Sequence, residues 1–164
     1  MIRSIYSVYS QSSVVAGMAE QQLADDHIPS ADLHFVLVGD SASADGGFLN
    51  SYVDSLPESL RQWVTDAFNQ FGAGEVLGAT TPDNLYPTDV YSLSGDGWAN
   101  YDGGLNDFGM YSDHLEYLGL TPTEIGSATL SLADNLTNYW TINDAAVNSL
   151  EALWTQLMMA VSVF

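Results

Sequence analysis

The apolar positions of the C-terminal stretch, 121–164, follow helical spacing in two places, with a strand between them. Thr121-Pro122-Thr123-Glu124 has the form of a capping box, which marks the start of a helix. Apolar residues follow at helical spacing, at Ile125, Ala128, Leu132 and Leu136. Aromatic and β-branched residues at 138–142 predict a short strand. Asn143 is a suitable N-cap for a last, amphipathic helix. Its apolar face would hold Val147, Leu150, Trp154, Leu157 and Val161.

The N-terminal pattern predicts a strand, a helix and a second strand. The strands are expected from Ile2 to Tyr9 and from Asp32 to Val38, and the helix from Val14 to Ala24. The serines of 10–13 are suitable N-caps for that helix. So short a succession favours a right-handed crossover between parallel strands.

The middle of the chain alternates loops with short elements. Ser55-Leu56-Pro57-Glu58 is a second capping box, and it opens an amphipathic helix that ends before Gly72 and Gly74. Short strands are predicted at 75–79 and 88–93, and a short helix at 108–118. Between them, 94–107 is a long loop, and loops of that length are usually functional or mobile.

Parts of this pattern resemble bacterial general stress proteins. The similar segments are Arg3 to Tyr9, the helix positions Ala16, Ala19 and Leu23, Ile28-Pro29, 33–36, 118–125 and 139–142. The resemblance implies a ferredoxin-like βαβ…αβ core. The length of 164 residues indicates one domain, and the residue pattern predicts an α+β fold with a C-terminal amphipathic helix. We expect 1–38 to be the βαβ unit, 39–113 a helical and loop insertion, and 114–164 a closing helix, strand and helix. The resemblance implies no catalytic residue.

The charge balance limits the classes of partner. The chain has 21 acidic residues but only two basic ones, Arg3 and Arg61, for a formal net charge of -19. Binding to nucleic-acid phosphates or anionic membranes is therefore excluded. A basic protein or a second copy of the chain, as a homo-oligomer, is the expected partner. Without cysteine, disulfides and thiol chemistry are excluded. No signal peptide or membrane-spanning run is recognisable, which favours a cytoplasmic or virion location.

The loop after the third strand is the densest cluster of side-chain oxygens. Its candidate calcium ligands are Asp96, Asn100, Asp102 and Asp107, and neighbouring glycines would let backbone carbonyls join them. The spacing matches no EF-hand, so the alternative is a solvated Asp/Gly turn. No other cofactor is expected.

Catalytic signals are weak in the sequence. The chain has three histidines, His27, His34 and His114, and no pair of them has the i, i+4 spacing of a helical metal site. Each is either a functional group or a satisfied structural histidine. Serines are abundant, but none lies in a Gly-x-Ser-x-Gly motif. The sequence therefore predicts a protein that is not an enzyme.

Aromatic residues among acids and glycines indicate a candidate interface. The candidate residues are Trp98, Tyr101, Phe108, Tyr111 and Tyr117, with Trp154 and Met158 from the predicted last helix. The alternative is that these rings belong to the edge of the core.

Two functional hypotheses follow. The first is a non-catalytic, self-assembling interaction protein, such as a viral or surface structural subunit. The second is a DNA mimic that inhibits a DNA-binding enzyme of anti-phage defence, because 19 net charges equal those of about ten base pairs. The scattered positions of the acids weaken this second hypothesis. A salt-adapted stress protein is a third possibility.

Overall fold

The computed structural model describes residues 4–70, 76, 79–101, 103 and 109–144. Its strands are β1 (Ser4–Tyr9), β2 (Leu33–Val38), β3 (Thr88–Leu93), β4 (Thr129–Asp134) and β5 (Thr137–Ile142). Its helices are α1 (Gln11–Asp25), α2 (Phe48–Ser55), α3 (Glu58–Gln70), α4 (Gly109–Glu116) and α5 (Pro122–Gly126). Short 3-10 turns lie at Ser30–Asp32 and Tyr117–Gly119.

The strands form one mixed sheet in the order β1-β2-β3-β5-β4. β1, β2, β3 and β5 run parallel, and β4 pairs antiparallel with β5 at the edge. The expected α+β class and the parallel pairing across α1 are confirmed. A ferredoxin-like arrangement is not confirmed, because β3 lies between β2 and β5 and joins them into a parallel series.

One face of the sheet packs into the main core. Alternate residues of the strands point into it, as the period of two in a strand requires. The buried cluster consists of Leu33, Phe35, Leu37, Tyr86, Val90 and Tyr139, with Val8 and Leu23 packed against it. A second cluster, Leu93, Tyr117 and Ile142, lies where β3 and β5 end.

The capping box at Thr121 is confirmed, but the helix that it opens is short. The backbone N–H of Glu124 donates to the Thr121 hydroxyl, and the Thr121 N–H donates to the Glu124 carboxylate. The helix predicted to reach Leu136 ends at Gly126, and Leu132 lies in β4 instead. The antiparallel pairing of β4 with β5 outweighs the helical spacing of its leucines.

The remaining local predictions are mostly confirmed. β1, β2, β3, β5, α1 and α3 lie close to where the sequence predicted them. The predicted C-terminal helix and most of the predicted strand at 75–79 lie outside the described residues. Among the described residues, no helix combines the length and the hydropathy needed to cross a membrane.

The parallel strands position the candidate site. Their carboxyl ends meet at one edge of the sheet, which is where open parallel sheets bind ligands. Ser10 follows β1, Gly39 follows β2 and Asp96 follows β3 at this edge.

Candidate active site

Ser10 occupies a sharp turn between β1 and α1. Its backbone has φ 58° and ψ -129°, a conformation that L-residues rarely adopt. The turn is fixed by a bond of 2.9 Å from the Ser10 N–H to the Val38 carbonyl. The buried Ser13 hydroxyl also donates to the Val8 and Val38 carbonyls, at 3.3 and 3.2 Å. Strain of about 1–3 kcal/mol at such a position usually marks a functional residue.

His114, from α4, lies directly beside this serine. Its Nε2 atom is 2.7 Å from Ser10 Oγ, and its Nδ1 atom is 2.9 Å from Oδ2 of Asp96. Because an ionised carboxylate only accepts hydrogen bonds, Nδ1 carries the proton and Nε2 is free to accept from the serine hydroxyl. His114 is thus held in the tautomer that a general base requires.

Tyr9 contacts both the ring and the backbone of His114. Its ring stacks on His114 with centroids 5.4 Å apart, and its hydroxyl donates to the His114 carbonyl. Burial and then the charge of Asp96 raise the pKa of Tyr9 to about 12, so the phenol remains a donor near neutral pH. Both the ring and the backbone of His114 are therefore fixed by the residue that precedes Ser10.

Asp96 is fully buried in the turn that follows β3. Its Oδ1 atom accepts the Trp98 N–H at 3.0 Å, and its backbone carbonyl accepts the N–H groups of Ala99 and Asn100. A buried carboxylate is tolerable only when it is hydrogen-bonded in this way. The turn therefore holds the charge in a fixed orientation toward His114.

A cavity of about 570 Å³ opens beside Ser10 and His114. Its walls are mainly apolar side chains of α1, of α2, of position 76 between α3 and β3, and of the loop after Asp96: Val14, Val15, Met18, Leu49, Val76 and Trp98. A second apolar cavity along α1 and β1 shares Gln11 and Val15 with the first. A few polar groups at one end of an apolar pocket are typical of small-molecule sites.

Two more carboxyl groups are buried near the same edge of the sheet. Glu20, on the inner face of α1, is fully buried, and neither of its carboxyl oxygens has a hydrogen-bond partner. Burial and then the neighbouring charge of Asp40 raise the pKa of Glu20 to about 8. Asp40 accepts from the Thr81 hydroxyl at 2.6 Å and the Ala42 N–H at 3.0 Å. Despite these two hydrogen bonds, burial raises the pKa of Asp40 as well as that of Glu20.

The predicted calcium ligands are only partly described. Asp96 bonds to His114, and the Asn100 amide donates to the Ser94 carbonyl at 2.9 Å. Asp102 and Asp107 lie outside the described residues. In the ranges that the structure describes, no group of three or more His, Cys, Asp or Glu is arranged to hold a metal ion.

Of the predicted interface residues, Trp98 and Tyr117 lie beside the ring of His114. Trp98 lines the cavity, and Phe48 packs edge-on against Trp98 and Tyr101 with centroids 4.9 and 5.4 Å apart. Tyr117 is buried. Tyr111 belongs to α4. Phe108, Trp154 and Met158 lie outside the described residues.

The sequence analysis did not single out Ser10 and gave His114 no defined role. The search required glycines on both sides of the serine, whereas Val8 and Ser12 stand there. Val8 packs against the core and Ser12 is exposed, so neither crowds the turn. The available signal was a group of serines between a strand and a helix. His34, by contrast, bonds to Asp89 at 2.8 Å, away from Ser10.

Comparisons with known proteins show the family of the chain. The PE-PPE domain profile matches residues 5–102. "Uncharacterized PPE family protein PPE28" of Mycobacterium tuberculosis is 30% identical over 158 residues, covering 88% of this chain and 22% of that protein. "Esterase PE16" of the same organism is 30% identical over 146 residues, covering 80% of this chain and 25% of that protein. The chain thus spans about a quarter of the length of these relatives. No solved structure matches.

These findings overturn several predictions. The family match contradicts the resemblance to general stress proteins, which rested on a strand-helix-strand pattern that many folds share. The family match and the esterase relative contradict the prediction that the chain is no enzyme, and with it the viral, self-assembling and DNA-mimic hypotheses. The DNA-mimic hypothesis relied on net charge, which reports on the surface and not on a buried site. The self-assembly hypothesis relied on apolar helix faces, on aromatic-rich loops and on the lack of a local catalytic motif, and a site built from residues distant in the chain has no such motif. The chain belongs to the PE-PPE domain family.

Proposed function

We propose that this chain is a serine hydrolase that cleaves carboxylic esters with an apolar acyl group. The observation that carries the proposal is the continuous hydrogen-bond series Ser10 Oγ, His114 Nε2, His114 Nδ1 and Asp96 Oδ2, with distances of 2.7 and 2.9 Å. A hydroxyl, an imidazole and a buried carboxylate in this order form the triad of nucleophilic serine enzymes.

The order of the triad along the chain supports the same function. Serine, aspartate and histidine follow one another as Ser10, Asp96 and His114, which is the order of α/β-hydrolases. In that fold the serine also lies at a strained turn from a strand into a helix. We therefore propose an α/β-hydrolase-like arrangement for the parallel part of the sheet.

In the acylation step, Ser10 Oγ attacks the ester carbonyl while His114 Nε2 takes the hydroxyl proton. Asp96 stabilises the imidazolium that forms. The carbonyl electron pair moves to oxygen and gives a tetrahedral oxyanion. The Gln11 backbone N–H follows the nucleophile at the first turn of α1 and is the expected donor to this oxyanion. Collapse of the intermediate breaks the bond to the alcohol, which takes the proton from His114 and leaves an acyl-Ser10 ester.

Deacylation repeats these steps with water as the nucleophile in place of Ser10. His114 removes a proton from water, and the hydroxide attacks the acyl-Ser10 carbonyl. The second tetrahedral intermediate collapses, and Ser10 regains its proton from His114 as the carboxylic acid leaves.

The apolar lining of the cavity supports a substrate whose acyl group is large and apolar. Val14, Val15 and Met18 line it along one helix and form an apolar wall that begins at the nucleophile. An acyl chain on this wall would gain about 0.8 kcal/mol for each buried methylene. The relative named an esterase supports the same bond type.

The test combines covalent labelling with turnover. A fluorophosphonate probe should label the wild-type chain at Ser10, and the chain should hydrolyse p-nitrophenyl acyl esters. S10A should abolish both signals. S12A is the matched control, because Ser12 is exposed on the same first helical turn and should keep both. Absence of labelling and turnover in the folded wild-type chain would refute the proposed function.

A further inference from the structure

We propose that Tyr117 is a positioning residue of the triad, which fixes Asp96 and limits how strongly its charge holds a proton on His114. The proposal rests on the proposed serine hydrolase function. It assigns a role in the reaction to a tyrosine that otherwise belongs to the second core cluster, with Leu93 and Ile142.

The geometry extends the triad by one residue. The Tyr117 hydroxyl donates to Asp96 Oδ2 at 2.9 Å, the same oxygen that accepts from His114 Nδ1. The Leu93 backbone N–H donates to the Tyr117 oxygen at 2.7 Å. Hydrogen bonds therefore run without interruption from the end of β3 through Tyr117 and Asp96 to His114.

The ring of Tyr117 has little freedom to leave this arrangement. The residue is only 8% exposed, and its ring lies 5.6 Å from that of Tyr9 and 6.0 Å, edge-on, from that of His114. Tyr117 lies in the 3-10 turn that directly follows α4, the helix of His114. One short segment thus supplies both donors to Asp96 Oδ2.

The phenol remains a donor at the pH of catalysis. Burial, followed by the charge of Asp96, raises the pKa of Tyr117 well above its usual value. Because the backbone N–H of Leu93 occupies its acceptor side, the hydroxyl proton is directed to the carboxylate.

Loss of this donor has two chemical consequences. The buried Asp96 keeps the Trp98 N–H on Oδ1, but Oδ2 is left with the imidazole alone, so the carboxylate can rotate. Its negative charge is also less dispersed and holds the proton on His114 more strongly. Catalysis should weaken, and the free imidazole should become available only at higher pH.

The experiment compares Y117F with Y86F. Tyr86 is equally buried, and its hydroxyl donates to the Ile28 carbonyl at 2.9 Å, so Y86F loses a comparable bond away from the triad. Active sites are counted by fluorophosphonate titration, and kcat, KM and the pH profile of kcat/KM are then measured per titrated site. We expect Y117F to lower kcat about tenfold to a hundredfold at similar KM, and to move the acid limb to higher pH. Y86F should change neither.

Equal kcat and pH profiles for Y117F and Y86F would overturn the proposal and leave the hydrolase function intact. An unlabelled and inactive wild-type chain would instead overturn the proposed function, and the present proposal with it. A second measurement needs no variant: in the wild-type protein, proton NMR should detect the Tyr117 hydroxyl proton close to the Nδ1 proton of His114. A Tyr117 hydroxyl that exchanges freely with water would overturn the positioning role.

Discussion

The absence of a side chain at Gly39 makes room for the ring of His114. A Cβ atom on Gly39 would lie 3.2 Å from His114 Cε1 and 3.0 Å from Tyr117 Cε2. Gly39 also has φ +61°, in the left-handed region that glycine adopts without steric cost. The end of β2 is thus shaped around the imidazole, although it contributes no reactive group.

G39A should therefore impair both stability and catalysis. The left-handed backbone costs about 1–2 kcal/mol for an alanine, and the new methyl group pushes the imidazole away from Ser10. We expect kcat to fall at least about tenfold with KM little changed, since small misplacements of a base are costly. The free energy of unfolding by urea measures the first effect and ester hydrolysis the second. G46A is the matched control, because Gly46 also has positive φ but lies against Asn100.

Removal of the base or of its carboxylate partner should nearly abolish turnover. In serine triads, replacing the aspartate reduces kcat by about 10⁴-fold and removing the histidine by about 10⁶-fold, so D96N and H114A should approach these losses. H34A is a suitable control, since His34 forms the other His–Asp pair of the described residues, with Asp89, and lies apart from Ser10. Stopped-flow or steady-state ester hydrolysis measures the difference. Near-normal turnover in H114A would show that another base serves Ser10.

Met18 should influence the preference for acyl chain length. It lines the cavity and is 42% exposed, so M18S should fold. Each methylene that contacts an apolar wall contributes about 0.8 kcal/mol, or about fourfold in kcat/KM. A series of p-nitrophenyl esters should therefore give a shallower rise of log kcat/KM with chain length in M18S. Q22S changes an exposed position on the same helix and should keep the wild-type slope; equal slopes for both variants would remove Met18 from the acyl site.

The buried Glu20 should make the protein less stable as pH rises. Its folded-state pKa is raised from 4.5 to about 8, so between these values the folded chain binds more protons than the unfolded chain. The free energy of unfolding is therefore highest below the unfolded-state pKa of 4.5, and it decreases as the pH rises through the folded-state pKa of about 8. The total loss is on the order of 5 kcal/mol. The raised pKa of Asp40 acts in the same direction.

E20Q removes this titration and should flatten the dependence of the unfolding free energy on pH between 5 and 8. E58Q, at an exposed glutamate in the first turn of α3, should retain the wild-type slope. Urea unfolding at several pH values is the measurement. A wild-type stability that rises across this range would contradict the assignment of the raised pKa to Glu20.

The sequence by itself determined most of the local structure. Runs of apolar, aromatic and β-branched residues predicted β2, β3 and β5, helical spacing and caps predicted α1 and α3, and the crossover through α1 predicted that β1 and β2 are parallel. These features depend on residues close together in the chain, which is why the pattern contains them. The same reasoning extended α5 too far, because the leucines of 130–136 fit either a helix or a strand until β5 is present to pair with them.

Only the tertiary structure decided the site. Ser10 and His114 are 104 positions apart, and a hydrogen bond of 2.7 Å between them exists only because the carboxyl ends of β1 and β3 meet at one edge beside α4. No local motif marked Ser10, because Val8 and Ser12 stand where the Gly-x-Ser-x-Gly motif has glycines. The strained backbone of Ser10 is visible only in the structure. Asp96 was visible in the sequence as an oxygen donor for calcium, yet its neighbours in space make it the partner of a histidine. The residue types lie in the sequence, but their chemical roles depend on distances that only packing of the sheet creates.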